Sequence, residues 1–141
     1  MSLAHLTLPT PAVERTARFL EQTLGYTRDP APANSPMETV WLATGGGQQM
    51  HIVYVEGFEA SPFEGEFGRH IAIFRPAREI AALKERLLAA GAHLMQPLRP
   101  SAQERFFFRE PVNGYVFEVR PAPDRAPIRS RIVLASSPFS E

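Results

Sequence analysis

Residues 5–14, HLTLPTPAVE, and residues 70–79, HIAIFRPARE, are two versions of one pattern. Each opens on a histidine, alternates like a half-buried strand, reaches a proline and arrives at a glutamate as helical spacing takes over. The offset between them is 65 residues. In the first version Thr10 and Pro11 read as the N-cap and first-turn proline of a helix. Val13, Ala17, Leu20 and Leu24 follow on one face, and Gly25 stops it. In the second, Pro76 opens a helix carrying Ile80, Leu83 and Leu87, and Gly91 ends it.

Further strand signals follow each helix. In the first half, ETVWLA (38–43) and QMHIVYV (49–55) read as strands flanking a turn at Gly45–Gly47, after a proline-rich loop at 30–36. In the second, strands are expected near 92–96, at 104–109 and at 115–120, the last two joined by the turn EPVNG. The order strand–helix–strands thus occurs twice. This is a duplication at supersecondary scale rather than a solenoid, which needs more and shorter repeats. The expected fold is α+β, with modules at about 3–57 and 68–120 inside a single domain spanning 1–121 and a connector at 58–68. Residues 122–141, rich in Pro, Arg and Ser, read as an arm or tail, in which IRSRIVLA (128–135) could pair as an extra strand.

Composition narrows the chemistry. The chain has 141 residues, 44% of them hydrophobic, enough for one real core. Lys plus Arg and Asp plus Glu both total 15, with no basic block, so no face is built for nucleic acid or an anionic membrane. There is no cysteine. Thiol catalysis, disulfides and iron–sulfur clusters are excluded, and a metal would have to sit on histidine, carboxylate or water. No long apolar run or leader-like segment stands out, so a soluble, cytoplasmic protein is expected.

The duplication also offers a test for chemistry. Polar residues recur at equivalent places within apolar strands: His5 and His70 in the first strand of each half, His51 and Glu118 in the last, the latter pair 67 apart. Strand alternation puts His5 opposite Leu6 and Leu8, His70 opposite Ile71 and Ile73, His51 opposite Ile52, and Glu118 opposite Phe117 and Val119. If the halves pack with pseudo-twofold symmetry, the four can converge on one concave face. A carboxylate inside YVFEV is costly to bury unless a cation accompanies it. Arg105 or Arg109 could be that cation, and so could a metal. His51 is open to an ordinary reading too, as a strand histidine bonded to a neighbour. Trp41, Tyr54 and Phe74 could line a substrate cup or simply pack in the core. His93 and the Gly45–Gly47 turn carry no functional expectation.

Several stretches together resemble the vicinal oxygen chelate superfamily, which includes glyoxalase I, bleomycin- and fosfomycin-resistance proteins and extradiol dioxygenases. They are AHLTL with a helix ending in LGY (24–26), GRHIAIF (68–74) and FREPVNGYVFEV (108–119). The resemblance covers residues 3–120. It implies paired βαβββ modules, a U-shaped mixed sheet cupping one divalent metal, a small-molecule substrate and a homodimer. It implies His5, His51, His70 and Glu118 as the metal set, with His51 either a fourth ligand or a catalytic acid/base. Glyoxalase I normally has a glutamate at the position of His51. Extradiol dioxygenases match His5, His70 and Glu118 and carry a second-shell histidine in the strand of His51, which makes an Fe(II) dioxygenase-like enzyme the leading expectation. The tyrosine those enzymes carry ten residues before the glutamate is Phe108 here. A glyoxalase-I-like lyase or thiol transferase using Ni(II), Zn(II) or Mn(II), and a metal-free bleomycin-resistance-type binder, are the alternatives.

Overall fold

Leu6 and Leu8 turn to one side of the first strand and His5 and Thr7 to the other, and that alternation organises the molecule. In the computed structural model, which describes residues 2–122, Leu8 is buried while His5 and Thr7 are exposed. The first module comprises β1 (His5–Thr10), α1 (Val13–Leu24), β2 (Thr27–Asp29), β3 (Thr39–Gly45) and β4 (Gln48–Tyr54). The second comprises β5 (Ile71–Pro76), a short 3-10 turn (Ala77–Glu79), α2 (Ile80–Ala89), β6 (His93–Met95), β7 (Phe106–Arg109) and β8 (Val116–Ala122). The extra strand suggested at 128–135 lies outside the described residues.

The two halves share one topology. Strand order is β1-β4-β3-β2 in the first sheet and β5-β8-β7-β6 in the second. β1 runs parallel to β4 and β5 parallel to β8, while the remaining pairs are antiparallel. The fold is therefore α+β with paired modules, and among the described residues eight strands form two four-stranded sheets rather than one continuous one. β2 has no counterpart in the sequence reading. Three residues, TRD, carry no apolar alternation, and only the ladder to β3 defines them.

Helix boundaries follow local chemistry with one informative exception. Gly25 takes φ 73°, the left-handed conformation that ends α1, and its N–H bonds the Glu21 carbonyl. Thr10, however, is not the N-cap. Its Oγ1 accepts the Ala12 N–H at 3.0 Å and donates to Asn113 Oδ1 at 2.6 Å, so the hydroxyl is shared with the second module and the helix starts at Val13, with Ala12 as cap.

The apolar faces of both sheets enclose one core. Val13, Ala17, Leu20 and Leu24 of α1, Ile80, Leu83 and Leu87 of α2, and the strand residues Leu42, Ile52, Phe108 and Phe117 all belong to this one buried cluster. Phe19 of α1 contacts Phe108 of the other module at 6.2 Å between ring centroids. Each fully buried Leu or Phe contributes roughly 1.5–3 kcal/mol, so the shared core holds the modules together. Tyr115, whose hydroxyl donates to the Pro9 carbonyl at 2.6 Å, adds a polar tie. Inward-facing apolar residues leave the polar members of each strand on the outer faces.

Candidate metal centre

On the outer face of the second sheet, β-ladder register sets Glu118 between Ala72 of β5 and Phe107 of β7. His70 lies immediately before β5 rather than within it. Its Nδ1 stands 3.0 Å from the carbonyl oxygen of Gly65. A carbonyl only accepts, so Nδ1 carries a proton, which in the neutral tautomer leaves the lone pair on Nε2. That Nε2 is 3.1 Å from Glu118 Oε2. Two acceptors thus point at one place, and a cation or a proton must reconcile them. Histidine ligands to metals are commonly oriented in this way, with the second nitrogen donating to a backbone carbonyl. Gly65 belongs to a tight loop in which a Cβ on Gly68 would lie 1.7 Å from the Phe63 carbonyl oxygen, so only glycine lets it close. Phe107 meets the His70 ring edge-on at 5.2 Å.

Glu118 has a second cation. Arg105, 5% exposed, donates from Nη1 to Glu118 Oε1 at 3.1 Å. Its Nη2 donates to Glu66 Oε1 at 3.0 Å and to the Arg99 carbonyl at 2.8 Å. Glu66 in turn accepts the Leu98 and Arg99 N–H groups. Of the two arginines the sequence offered, Arg105 is the partner of Glu118. Arg109, four residues further along and of the same strand parity, lies opposite Val116 and donates instead to the Gly114 and Glu64 carbonyls.

The first sheet's outer face is built differently. His51 is the direct cross-strand partner of Trp41, and their rings stack at 3.9 Å with planes 3° apart. On the other side His5 stacks on His51 at 4.0 Å, with planes 12° apart. His51 is therefore the centre of a three-ring stack, 8% exposed. Its Nε2 lies 2.9 Å from Gln49 Oε1, and the Gln49 amide donates to Asp29 Oδ2 at 2.8 Å. With its amide nitrogen held by Asp29, Gln49 presents its oxygen, so His51 Nε2 carries the proton and Nδ1 the lone pair. Burial, reinforced by the neighbouring His5, pushes the His51 pKa below its ordinary value.

This arrangement of modules has known counterparts. The family model described as Glyoxalase/Bleomycin resistance protein/Dioxygenase superfamily matches residues 2–119. The chain belongs to that superfamily. Its fold is similar to that of the fosfomycin resistance protein FosX from Listeria monocytogenes, with TM-score 0.69 and 21% identity over 86% of this chain and 91% of that one. FosX from Mesorhizobium loti gives TM-score 0.67 and 22% identity over 86% and 92%. A Listeria FosX variant complexed with Mn(II) and 1S,2S-dihydroxypropylphosphonic acid gives TM-score 0.70 and 19% identity over 86% and 92%. No curated protein is similar enough in sequence to count as a relative.

The four singled-out side chains come together two by two, His70 with Glu118 and His5 with His51. Among the described residues no three His, Cys, Asp or Glu side chains form a group able to hold a metal ion. The convergence of all four expected from pseudo-symmetry does not occur within the described chain, because the modules pack back to back through their apolar faces and the polar faces look outward. Nor can His5 and His51 ligate one ion as they stand. Imidazole lone pairs lie in the ring plane, and two nearly parallel planes 4.0 Å apart do not meet at a common ligand position. Phe108, where the dioxygenase comparison placed a tyrosine, is fully buried and stacks on Phe117 in the core; Phe107 is the residue facing Glu118. Glu110 holds the EPVNG turn by accepting the Val112 and Asn113 N–H groups.

Trp41 reaches the candidate site, whereas Tyr54 packs against the core and Phe74 is exposed on the outer face. His93 is exposed on β6. Sequence reasoning missed Gln49, Asp29 and Glu66. Gln49 was findable, lying two residues before His51 on the same strand face. Asp29 and Glu66 act through short-strand and loop geometry that has no sequence signature. Among the described residues no helix is long and apolar enough to cross a membrane.

Proposed function

We propose that this chain is a divalent-metal-dependent enzyme that grips neighbouring oxygens of a small substrate, with His70 and Glu118 as ligands and His5 of a second copy as the third. The observation that supports this best is His70 Nε2 facing Glu118 Oε2 at 3.1 Å while the Gly65 carbonyl holds Nδ1. Donor chemistry fits: two imidazoles and a carboxylate suit a first-row divalent ion with open positions, Fe(II) foremost. Since one chain presents two half-sites on opposite outer faces, a twofold pairing of copies would complete each half with the other. The bound metal would act as a Lewis acid on the substrate's oxygens.

The chain's own groups then have separate tasks. Arg105 holds Glu118 Oε1, so the carboxylate presents Oε2. Gly65 fixes the His70 tautomer. His51, kept neutral by burial and oriented by Gln49, accepts a substrate hydroxyl proton at Nδ1 rather than serving as a fourth ligand. The leading reaction is dioxygenase-like cleavage of a catechol-type ring. A second reading, a Mn(II) enzyme acting on a small oxygenated substrate without molecular oxygen, is favoured by the Mn(II) and vicinal diol in the FosX complex.

Elemental analysis of protein purified without chelator or affinity metal tests this, beside a His70→Ala control. Stoichiometric iron that disappears in the control, with oxygen uptake on adding catechol, is the expected result. Manganese without oxygen uptake favours the second reading. Metal-free protein that cannot be reconstituted overturns both.

A further inference from the structure

Glu118 carries two conflicting demands. A metal ligand has to offer negative charge, yet two guanidiniums face its Oε1: Arg105 Nη1 at 3.1 Å and Arg120 Nε at 3.9 Å. Two cations around one carboxylate make a net positive cluster, which repels a divalent ion. Arg120 is half-exposed, and solvent weakens its influence. Arg105 is buried, so its charge acts strongly on whatever binds beside Glu118. The group that offsets it is Glu66, whose Oε1 accepts from Arg105 Nη2 at 3.0 Å. Glu66 also accepts the Leu98 N–H at 2.8 Å and the Arg99 N–H at 3.3 Å. Three donors converge on this carboxylate, which favours its ionised form.

We propose that Glu66 is a positioning residue that acts through Arg105: its charge neutralises the guanidinium and so leaves Glu118 free to hold a divalent cation. Arg105 gives one nitrogen to each carboxylate, and Glu66 makes no hydrogen bond to His70 or Glu118 itself. The role belongs to the charge of Glu66 rather than to the bonds by which it holds the backbone at Leu98 and Arg99. The inference rests on the reading of His70 and Glu118 as metal ligands given above. Two substitutions separate charge from geometry. Glu66→Gln keeps the length of the arm and an acceptor oxygen but removes the charge. Glu66→Asp keeps the charge on a shorter arm, which strains the bonds to the two N–H groups, whereas a Coulomb interaction falls only with inverse distance.

Mn(II) affinity is measured by calorimetry on protein stripped with EDTA and dialysed free of it. Glu66→Gln should bind about tenfold more weakly or worse, the range of partners that act through a ligand, and Glu66→Asp within about threefold of the unsubstituted chain. A second readout needs no metal. In EDTA, Glu66→Gln and Glu118→Gln together should lower the urea midpoint by more than the sum of their separate effects, because either carboxylate alone still pairs the buried Arg105. Glu66→Gln that binds Mn(II) as tightly as the unsubstituted chain overturns the proposal. So does Glu66→Asp weakened as much as Glu66→Gln, which would assign the effect to the loop bonds, and so do additive urea effects. If the unsubstituted chain takes up no Mn(II), the metal reading falls and this inference with it. If it binds and Glu66→Gln is indifferent, only this inference falls.

Discussion

The two modules share a topology and a register but have put opposite chemistries on their outer faces. Around Glu118 the second sheet assembles ions: Arg105 bridges Glu66 and Glu118, and His70 closes the far side. Around His51 the first sheet assembles stacked rings, with hydrogen bonds only at their edges. Duplication therefore preserved where a polar side chain points without preserving what surrounds it. The difference predicts unequal responses to substitution. Arg105→Ala would leave the buried Glu118 carboxylate without its arginine, and the half-buried Glu66 without the same partner. It should destabilise the protein by about 3–5 kcal/mol, read as a lowered urea midpoint. His51→Phe keeps a stacked ring in the other module and should cost about 1.5 kcal/mol or less, in the range of a single aromatic pair. Equal losses would show that the contrast between ionic and stacked faces is not energetic.

The contrast is also one of completeness. Each face holds two of the four candidate groups, so the metal reading requires a second copy, and mixing variants tests that directly. His5→Ala and His70→Ala chains should each lose metal alone. In a hybrid dimer one of the two shared sites retains both histidines, so Mn(II) binding should return to that site. At a hundredfold excess over Kd, bound metal should raise stability by about 2.7 kcal/mol, a gain that EDTA removes. Hybrids that stay metal-free would place the ligands within single chains or remove the metal altogether.

Legibility in the sequence followed the same division. The repeated HLTLPTPAVE and HIAIFRPARE segments revealed the modules because alternation and helical spacing are local. Gly25 showed as a stop for the same reason. Thr10 misled as an N-cap because Asn113, 103 residues away, recruits its hydroxyl. The four candidate site residues were visible as polar intrusions in apolar strands, but their pairing was not. Parity tells which sheet face a side chain takes; which of two faces meet depends on how the modules pack, and here the large apolar residues of both helices bring the inner faces together. Glu118 illustrates the limit. Its need for a cation could be read from YVFEV, and Arg105 was among the partners named, but Arg105 and Arg109 flank Phe107, the residue opposite Glu118, at equal distance along the chain, and only the carbonyls of Gly114 and Glu64 that hold the Arg109 guanidinium decide between them.

The smallest expected effects are those of pH, and they run in opposite directions in the two halves. His51 has a folded pKa below its unfolded value because it is buried. Between the two values the unfolded chain binds more protons, so stability rises with pH up to about 6.5, the usual histidine pKa. Glu64, buried at the foot of the His70 loop with Oε2 unpartnered, has its pKa raised by burial despite Arg69 and Arg109 nearby. There the folded state binds more protons, so stability falls as pH rises from about 4.3, the usual glutamate pKa, through the raised folded value. Thermal unfolding of EDTA-treated protein across pH 4 to 8 should separate them. His51→Leu should flatten the acid limb, the rise that ends at about pH 6.5, while Glu64→Gln should relieve the opposing decline that starts at about pH 4.3. If His51→Leu instead leaves the acid limb intact, His51 is not the group that burial keeps neutral, and its role as a proton acceptor loses its electrostatic basis. The stack with Trp41 would then be the whole reason for a histidine in that strand.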